Sequence, residues 1–146
     1  MEKWTEVLHG IVPEGAYATE LVNGEEKGLI VKLENEKTKL NIEFGLVSAV
    51  RMLDEGIILQ GLFDDHELNK YKAENFKNII YKVEDGEFEK SVKKMSGEIY
   101  DVLEMSQYLI ITSNYVIEVI SQTEPKIEII QYEMAEIKEE DLHLFD

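Results

Sequence analysis

The sequence has no cysteine, only two prolines and a single arginine among its 146 residues. The absence of cysteine excludes disulfide bonds, thiolate metal sites and a cysteine nucleophile, and it is typical of a reducing compartment. No apolar run of signal-peptide length opens the sequence, and its longest apolar runs are too short to cross a bilayer. The sequence therefore predicts a cytoplasmic protein without a membrane-spanning segment.

Motifs that carry chemistry are also missing. The sequence has no glycine-rich phosphate loop and no serine nucleophile elbow. Its three histidines, His9, His66 and His143, lie far apart, which does not fit a helical zinc site. The best metal candidate is the run over 64–67, but adjacent helical residues point in different directions, so a solvated loop and helix start is the favoured interpretation. We expect no enzyme activity, no cofactor and no metal.

Positive charge is scarce, because 15 Lys and Arg stand against 31 Asp and Glu and give a net charge of −16. A surplus of this size with low apolar content would indicate disorder, but 44% of the residues are hydrophobic, so the acids must coat a folded domain. Such a surface disfavours nucleic acid and anionic membranes and favours a basic protein partner. The surplus is concentrated from Glu98 onward, where it forms either a solubility coat or an interaction surface.

The first half of the sequence predicts successive antiparallel strands. Residues 39–44 alternate strictly, which places Leu40, Ile42 and Phe44 on one face of a half-buried strand. Similar apolar runs bounded by turn residues predict strands over 16–22, 28–33, 46–53 and 57–63. We expect these strands to form an N-terminal meander, followed by a short helix over 64–71 and a strand over 76–83.

A long amphipathic helix is predicted between Gly86 and Met105. Its apolar stripe consists of Phe88, Val92, Met95, Ile99, Val102 and Leu103. Glycine is unfavourable within a helix, so a break at Ser96–Gly97 stays open as an alternative.

Three further strands are predicted over 108–112, 115–120 and 127–132, and they form a C-terminal three-stranded segment. The predicted fold class is α+β, a mainly antiparallel sheet packed on the long helix. We expect a single domain over 1–146, in which residues 133–146 either dock as a short amphipathic element or form a mobile acidic tail.

Two kinds of conspicuous side chain favour a structural role. Arg51 lies in an apolar segment, and its planar guanidinium suits a carboxylate pair, so a salt bridge on the sheet is favoured over anion binding. The lone Trp4 and the pair Tyr108 and Tyr115, expected to face each other across a hairpin, are interpreted as packing residues.

The order of these features resembles the small, acidic, cysteine-free immunity-type proteins that bacteria encode beside polymorphic toxins. The resemblance lies in Leu40–Gly45 with Val50–Gly56, in Phe88–Leu103, and in Tyr108–Thr112 with Tyr115–Ile120 before Pro125. These stretches comprise 40 of the 146 residues. The resemblance implies a non-enzymatic protein that covers the basic active surface of a toxin, and it carries over no functional residue.

Partner contacts are predicted in the acidic C-terminal third. Glu118 and Glu128 each interrupt an apolar strand run, so both are expected to point outward, and Glu124 lies between them. Tyr115 or Tyr132 is expected nearby as an aromatic anchor. The alternative function is a small-molecule-binding or sensory domain with a pocket between helix and sheet. The sequence leaves the partner's identity, the oligomeric state and the strand order open.

Overall fold

Nine strands and two helices make up the fold in the computed structural model, which describes residues 2–54 and 79–131. The strands are β1 (Lys3–Glu6), β2 (Ala18–Val22), β3 (Leu29–Glu34), β4 (Thr38–Gly45), β5 (Ala49–Asp54), β6 (Ile80–Glu84), β7 (Ser106–Ile111), β8 (Tyr115–Ser121) and β9 (Lys126–Gln131). The helices are α1 (Glu87–Ser96) and α2 (Ile99–Val102). Sheet A has the strand order β1-β6-β7-β8-β5 and sheet B the order β2-β3-β4-β9, with all neighbours antiparallel.

The main core lies between the two sheets. Strict alternation buries every second side chain of β3 and β4 in sheet B, and sheet A contributes its own inner face. The fully or nearly buried side chains at this interface are Leu29, Val31, Leu33, Leu40, Ile42 and Phe44 from sheet B, with Ile80, Tyr108, Ile110, Ile117 and Val119 from sheet A. The architecture is therefore a β-sandwich, whose apolar interface is the largest source of stability.

The outer face of sheet A is buried as well. A second apolar cluster on that face contains Trp4, Tyr81, Val83, Leu109, Ile111 and Val116. Both helices contact the same sheet through Val92 and Tyr100, which pack on Ile120. Burial on both faces explains why β7 and β8 are almost continuously apolar instead of alternating.

The predicted α+β class and the strand alternation are confirmed, but the connectivity differs. Within the described residues, β2, β3 and β4 form the meander, whereas the predicted strand over 46–53, observed as β5, belongs to sheet A. The predicted C-terminal three-stranded segment is wrong: β7 and β8 form a hairpin, whereas β9 pairs with β4 in sheet B. Since Ile127 and Ile129 alternate with exposed residues, β9 suits a sheet that is buried on one face only.

The prediction of one long amphipathic helix is also wrong. The chain breaks at Gly97, which has φ 61° and donates its N–H to the Lys93 carbonyl at 2.9 Å, ending α1. The alternative of a break at Ser96–Gly97 is thus confirmed, and it separates the apolar stripe into two parts. Val92 in the middle of α1 is 6% exposed. Met95, near the end of α1, is 78% exposed, and Val102 in α2 is 77% exposed.

Several predictions fall outside the described ranges. These are the strand over 57–63, the helix over 64–71, the tail over 133–146, and the metal candidate over 64–67. Of the strand predicted over 76–83, the part from Ile80 onward is confirmed as β6. Within the residues that are described, no helix is long and apolar enough to cross a membrane.

Candidate functional site

The single arginine forms a buried ion pair on the outer face of sheet A. Arg51 of β5 lies opposite Glu118 of β8, and its Nε donates to Glu118 Oε2 at 2.5 Å. Nη2 forms an ion pair with the same oxygen. Glu118 is 1% exposed, and the Phe88 ring lies 4.8 Å from the guanidinium carbon. The predicted structural salt bridge of Arg51 is therefore confirmed.

Gln107 connects this ion pair to helix α1. Its Nε2 donates to Glu118 Oε1 at 3.3 Å, and its Oε1 accepts the backbone N–H of Glu89 at 2.9 Å. The first N–H groups of a helix have no partner within the helix, and Gly86, at the N-cap of α1, has no side chain to supply one. A strand side chain therefore caps the helix. A Cβ added to Gly86 would lie 2.6 Å from Gln107 Oε1, so this close approach requires glycine.

Glu89 and Tyr100 connect the two helices across the break. Tyr100 donates its hydroxyl to Glu89 Oε2 at 2.7 Å, and both side chains are buried. Lys93 lies on the solvent side, with its Nζ 3.7 Å from Glu89 Oε1 and 5.1 Å from the centre of the Tyr100 ring. These contacts hold α2 against α1 although the helical backbone is interrupted.

Burial raises the pKa of two acidic groups in this network. Burial raises the pKa of Glu118; Arg51 acts in the opposite direction, and nearby Glu2 adds to the increase. Burial also raises the pKa of Tyr100, and the Glu89 carboxylate adds to this increase. Tyr100 therefore stays protonated, and its hydroxyl group donates a hydrogen bond to Glu89. A buried network in which the members satisfy one another rigidifies the elements that it joins.

A cleft of about 310 Å³ borders this network, between the helices and strands β6 and β7. Its lining includes Lys82, Glu84, Lys93, Asp101 and Glu104. Small-molecule sites are mostly apolar with a few converging polar groups. This cleft has the opposite composition, so it lends no support to the alternative of an apolar ligand pocket between helix and sheet.

Four apolar side chains of the helical segment are exposed. They are Met95 near the end of α1, Ile99 and Val102 of α2, and Leu103 at the C-cap of α2. Ile99 and Val102, three residues apart in α2, lie on one side of this single turn, and Leu103 follows at its C-cap. The neighbouring acids Glu98, Asp101 and Glu104 are exposed, and Asp101 and Glu104 line the polar cleft.

The structure does not bring the predicted partner-binding acids together. The expectation that Glu118 points into solvent is wrong, because Arg51 and Gln107 bind its carboxylate inside the molecule. Glu128 is exposed on the outer face of sheet B, opposite Asn41, and Glu124 is exposed in the loop between β8 and β9. Whether Glu124 and Glu128 contact a partner stays a prediction.

The predicted aromatic residues also have separate surroundings. Tyr115 is half-buried against the main core and lies opposite Asp54, while Tyr132 is outside the described ranges. The expected pairing of Tyr108 with Tyr115 is wrong, since Tyr108 lies opposite Val119 and packs on Phe44 with ring centroids 5.6 Å apart. The packing role expected for Trp4 is confirmed by its contact with Tyr81, at 5.4 Å between centroids.

Sequence reasoning missed Gln107, Glu89 and Tyr100 as parts of one network. The available signal was a lone carboxylate, Glu118, in an apolar strand of a chain with one arginine. That signal suggests an ion pair, but nothing in the sequence connects it to Gln107. In the part of the chain that the structure covers, no group of His, Asp and Glu side chains is placed to hold a metal ion.

Comparisons with known proteins identified no relative of this chain. No protein-family model matches the chain, and neither a curated protein nor a solved structure shows significant similarity to it.

Proposed function

We propose that this chain is a non-enzymatic protein-binding module of immunity type, which neutralises a toxin by covering a basic surface on it. One observation carries the proposal: the surplus acids of residues 98–131 lie on the outside. They are Glu98, Asp101, Glu104, Glu124 and Glu128, all exposed, and Lys126 is the only base in that stretch. Its remaining acid, Glu118, is buried against Arg51 and so adds little to the outer field.

A surface of this sign attracts a basic partner over a distance. The attraction raises the association rate and fades as salt screens it. The same field repels nucleic acid and anionic membranes, which narrows the partner to a basic protein. The resemblance to immunity-type proteins supports this choice, because their toxin partners often have basic active surfaces.

The test is the association of the protein with a basic partner recovered from the native host. Two double variants, Glu98→Lys with Asp101→Lys and Glu124→Lys with Glu128→Lys, reverse charge in the acidic third. The control, Glu25→Lys with Glu26→Lys, makes the same charge change at two exposed residues between β2 and β3. We expect at least one of the first two to lower the association rate by about tenfold at low salt, and the control to have a clearly smaller effect.

The salt dependence gives a second measurement on the same samples. The effective double variant should show a weaker dependence of association rate on ionic strength than the unmodified protein. If both variants keep the unmodified rate and salt dependence, the acidic third is a solubility coat and the proposal fails. A recovered partner whose expression does not harm the host would contradict the immunity role.

A further inference from the structure

We infer that the polar cleft, which lies between the helices and strands β6 and β7, binds an arginine side chain of the partner protein. The inference rests on the proposed function and specifies one contact that the basic partner makes. The cleft has a volume of about 310 Å³. This volume lies at the lower limit of the clefts that hold small molecules, so it suits a single long side chain.

A nearly buried carboxylate lines the cleft and has one oxygen available. Glu89 is 8% exposed, and its Oε2 accepts the hydroxyl of Tyr100. Its Oε1 lies 3.7 Å from Lys93 Nζ, which is too far for a hydrogen bond, and no other described residue donates to it. A carboxylate oxygen that is withdrawn from water is costly to leave without a hydrogen bond. Glu89 Oε1 therefore offers an acceptor to a donor that enters the cleft.

The charges of the lining favour a cation. The cleft is lined by four carboxylates and two ammonium groups, which belong to Glu84, Glu89, Asp101, Glu104, Lys82 and Lys93. Lys93 is already paired with Glu89 and lies 5.1 Å from the centre of the Tyr100 ring. The excess of negative charge attracts a basic group and repels an acidic one, in agreement with a basic partner.

The geometry of the acceptors favours arginine over lysine. Glu89 is buried and Glu104 is exposed, so the cleft has acceptors at two depths. A guanidinium group has five N–H donors in one plane and can bind two carboxylates at once, whereas the ammonium group of lysine is a single compact charge. Arginines that enter fitted pockets are also among the side chains that contribute most to protein–protein affinity.

The acceptor is held in place before anything binds. Gln107 Oε1 accepts the backbone N–H of Glu89 at 2.9 Å, and the Tyr100 hydroxyl donates to its carboxylate at 2.7 Å. A site that is already ordered loses less conformational entropy on binding. The network that connects the helices to sheet A therefore also prepares the cleft for its ligand.

The probe is N-acetylarginine amide, which is titrated into the isotope-labelled full chain and followed through the backbone amide shifts. Two matched compounds are the controls: the citrulline analogue has nearly the same shape without the charge, and the lysine analogue has the charge without the planar group. We expect a Kd of about 1 mM for the arginine compound, with shifts centred on Glu89, Tyr100 and Glu104. Binding should be about threefold weaker for the lysine compound and about tenfold weaker for the citrulline compound.

The location is tested with matched glutamine variants. Glu89→Gln removes the buried charge of the cleft, and Glu104→Gln removes an exposed one. The control, Glu25→Gln, makes the same charge change between β2 and β3. We expect Glu89→Gln to weaken binding of the arginine compound about tenfold, Glu104→Gln about threefold, and Glu25→Gln not at all. Thermal unfolding verifies that each variant is folded, and if Glu89→Gln is not, the exposed Glu104→Gln decides.

The outcomes separate this inference from the proposed function. In the complex with the host partner, Glu89→Gln should raise the dissociation rate about tenfold and leave the association rate nearly unchanged, because a buried contact forms after the encounter. If charge reversal slows association but Glu89→Gln leaves dissociation unchanged, the basic partner stands and the arginine site is wrong. If the citrulline or lysine compound binds as well as the arginine compound, or if Glu25→Gln weakens binding as much as Glu89→Gln, the inference is overturned.

Discussion

The two parts of one apolar stripe have opposite environments in this molecule. In α1, Val92 packs on sheet A beside Phe88, and the helix is capped by Gln107. In α2, Ile99 and Val102 are exposed, although they continue the same spacing. The buried Glu89 and Tyr100 lie at the boundary and attach the second part to the first. An amphipathic pattern thus identifies a side of a helix, but it does not identify what covers that side.

Substitution of Glu118, in the ion pair that Gln107 connects to α1, should have the largest effect on stability. Glu118→Ala leaves Arg51 and Gln107 without their carboxylate, and removing one member of a buried ion pair typically costs 3–5 kcal/mol. Arg51 is 34% exposed and can regain water, so we expect a loss of about 2–4 kcal/mol in the free energy of unfolding. Urea denaturation measures the loss, and faster amide exchange at Glu89 should accompany it.

A matched double variant controls for the ion pair itself. Replacing both partners, Arg51→Met with Glu118→Leu, leaves no unpaired charge, so its stability should exceed that of Glu118→Ala. A double variant that is less stable than Glu118→Ala would show that the charged groups stabilise the fold by more than the cost of leaving one of them unpaired.

The same substitution in the two parts of the stripe gives an effect of intermediate size. Val92→Ala removes buried methyl groups and leaves a cavity, so we expect a loss of about 1.5–2.5 kcal/mol. Val102→Ala acts at an exposed position and should stay within about 0.5 kcal/mol. Chemical denaturation of the two variants makes the comparison directly, and equal losses would contradict the division of the stripe. Ile99 is also exposed, whereas a continuous helix would have placed it in the core.

The break between α1 and α2 can be tested by substituting Gly97. Its φ of 61° and ψ of −134° suit glycine, while nothing lies within 4 Å of an added Cβ. Gly97→Ala should therefore cost about 1–2 kcal/mol through backbone strain alone. Thermal unfolding, with Gly24→Ala as an uncrowded control, measures this cost. A stabilised Gly97→Ala variant would show that a continuous helix is accessible to the chain.

The smallest effect is a pH dependence from Glu118. Burial raises the pKa of Glu118 above its usual value of 4.5, so the folded state holds this proton to higher pH than the unfolded state. The stability contributed by the protonated carboxyl is present below the usual pKa and is lost as pH rises through the folded value. Relative to the non-titrating Glu118→Gln, the unmodified protein should lose stability from about pH 4 toward neutral pH. A constant difference between their unfolding free energies over this range would contradict the raised pKa.

The sequence by itself determined most of the described strands and the buried faces of β4 and α1. Alternation in residues 39–44 gave β4 its core side chains, and the helical spacing around Phe88 and Val92 placed α1 on the sheet. The position of Arg51 in an apolar segment, together with the geometry of its guanidinium, predicted an ion pair without naming the partner. The inferences about β4 and α1 succeed because they depend on neighbours two to four residues apart, and that spacing is fixed by strand and helix geometry.

Only the tertiary structure decided which surfaces meet. It assigned β9 to sheet B, buried Glu118 beneath contacts from β5 and β7, and left Val102 uncovered. A lone acid in an apolar strand faces solvent in one arrangement and an arginine of the neighbouring strand in another, and the local pattern is the same in both. The choice depends on contacts between residues far apart in the chain, here Arg51 with Glu118 and Gln107 with Glu89, which no local spacing encodes.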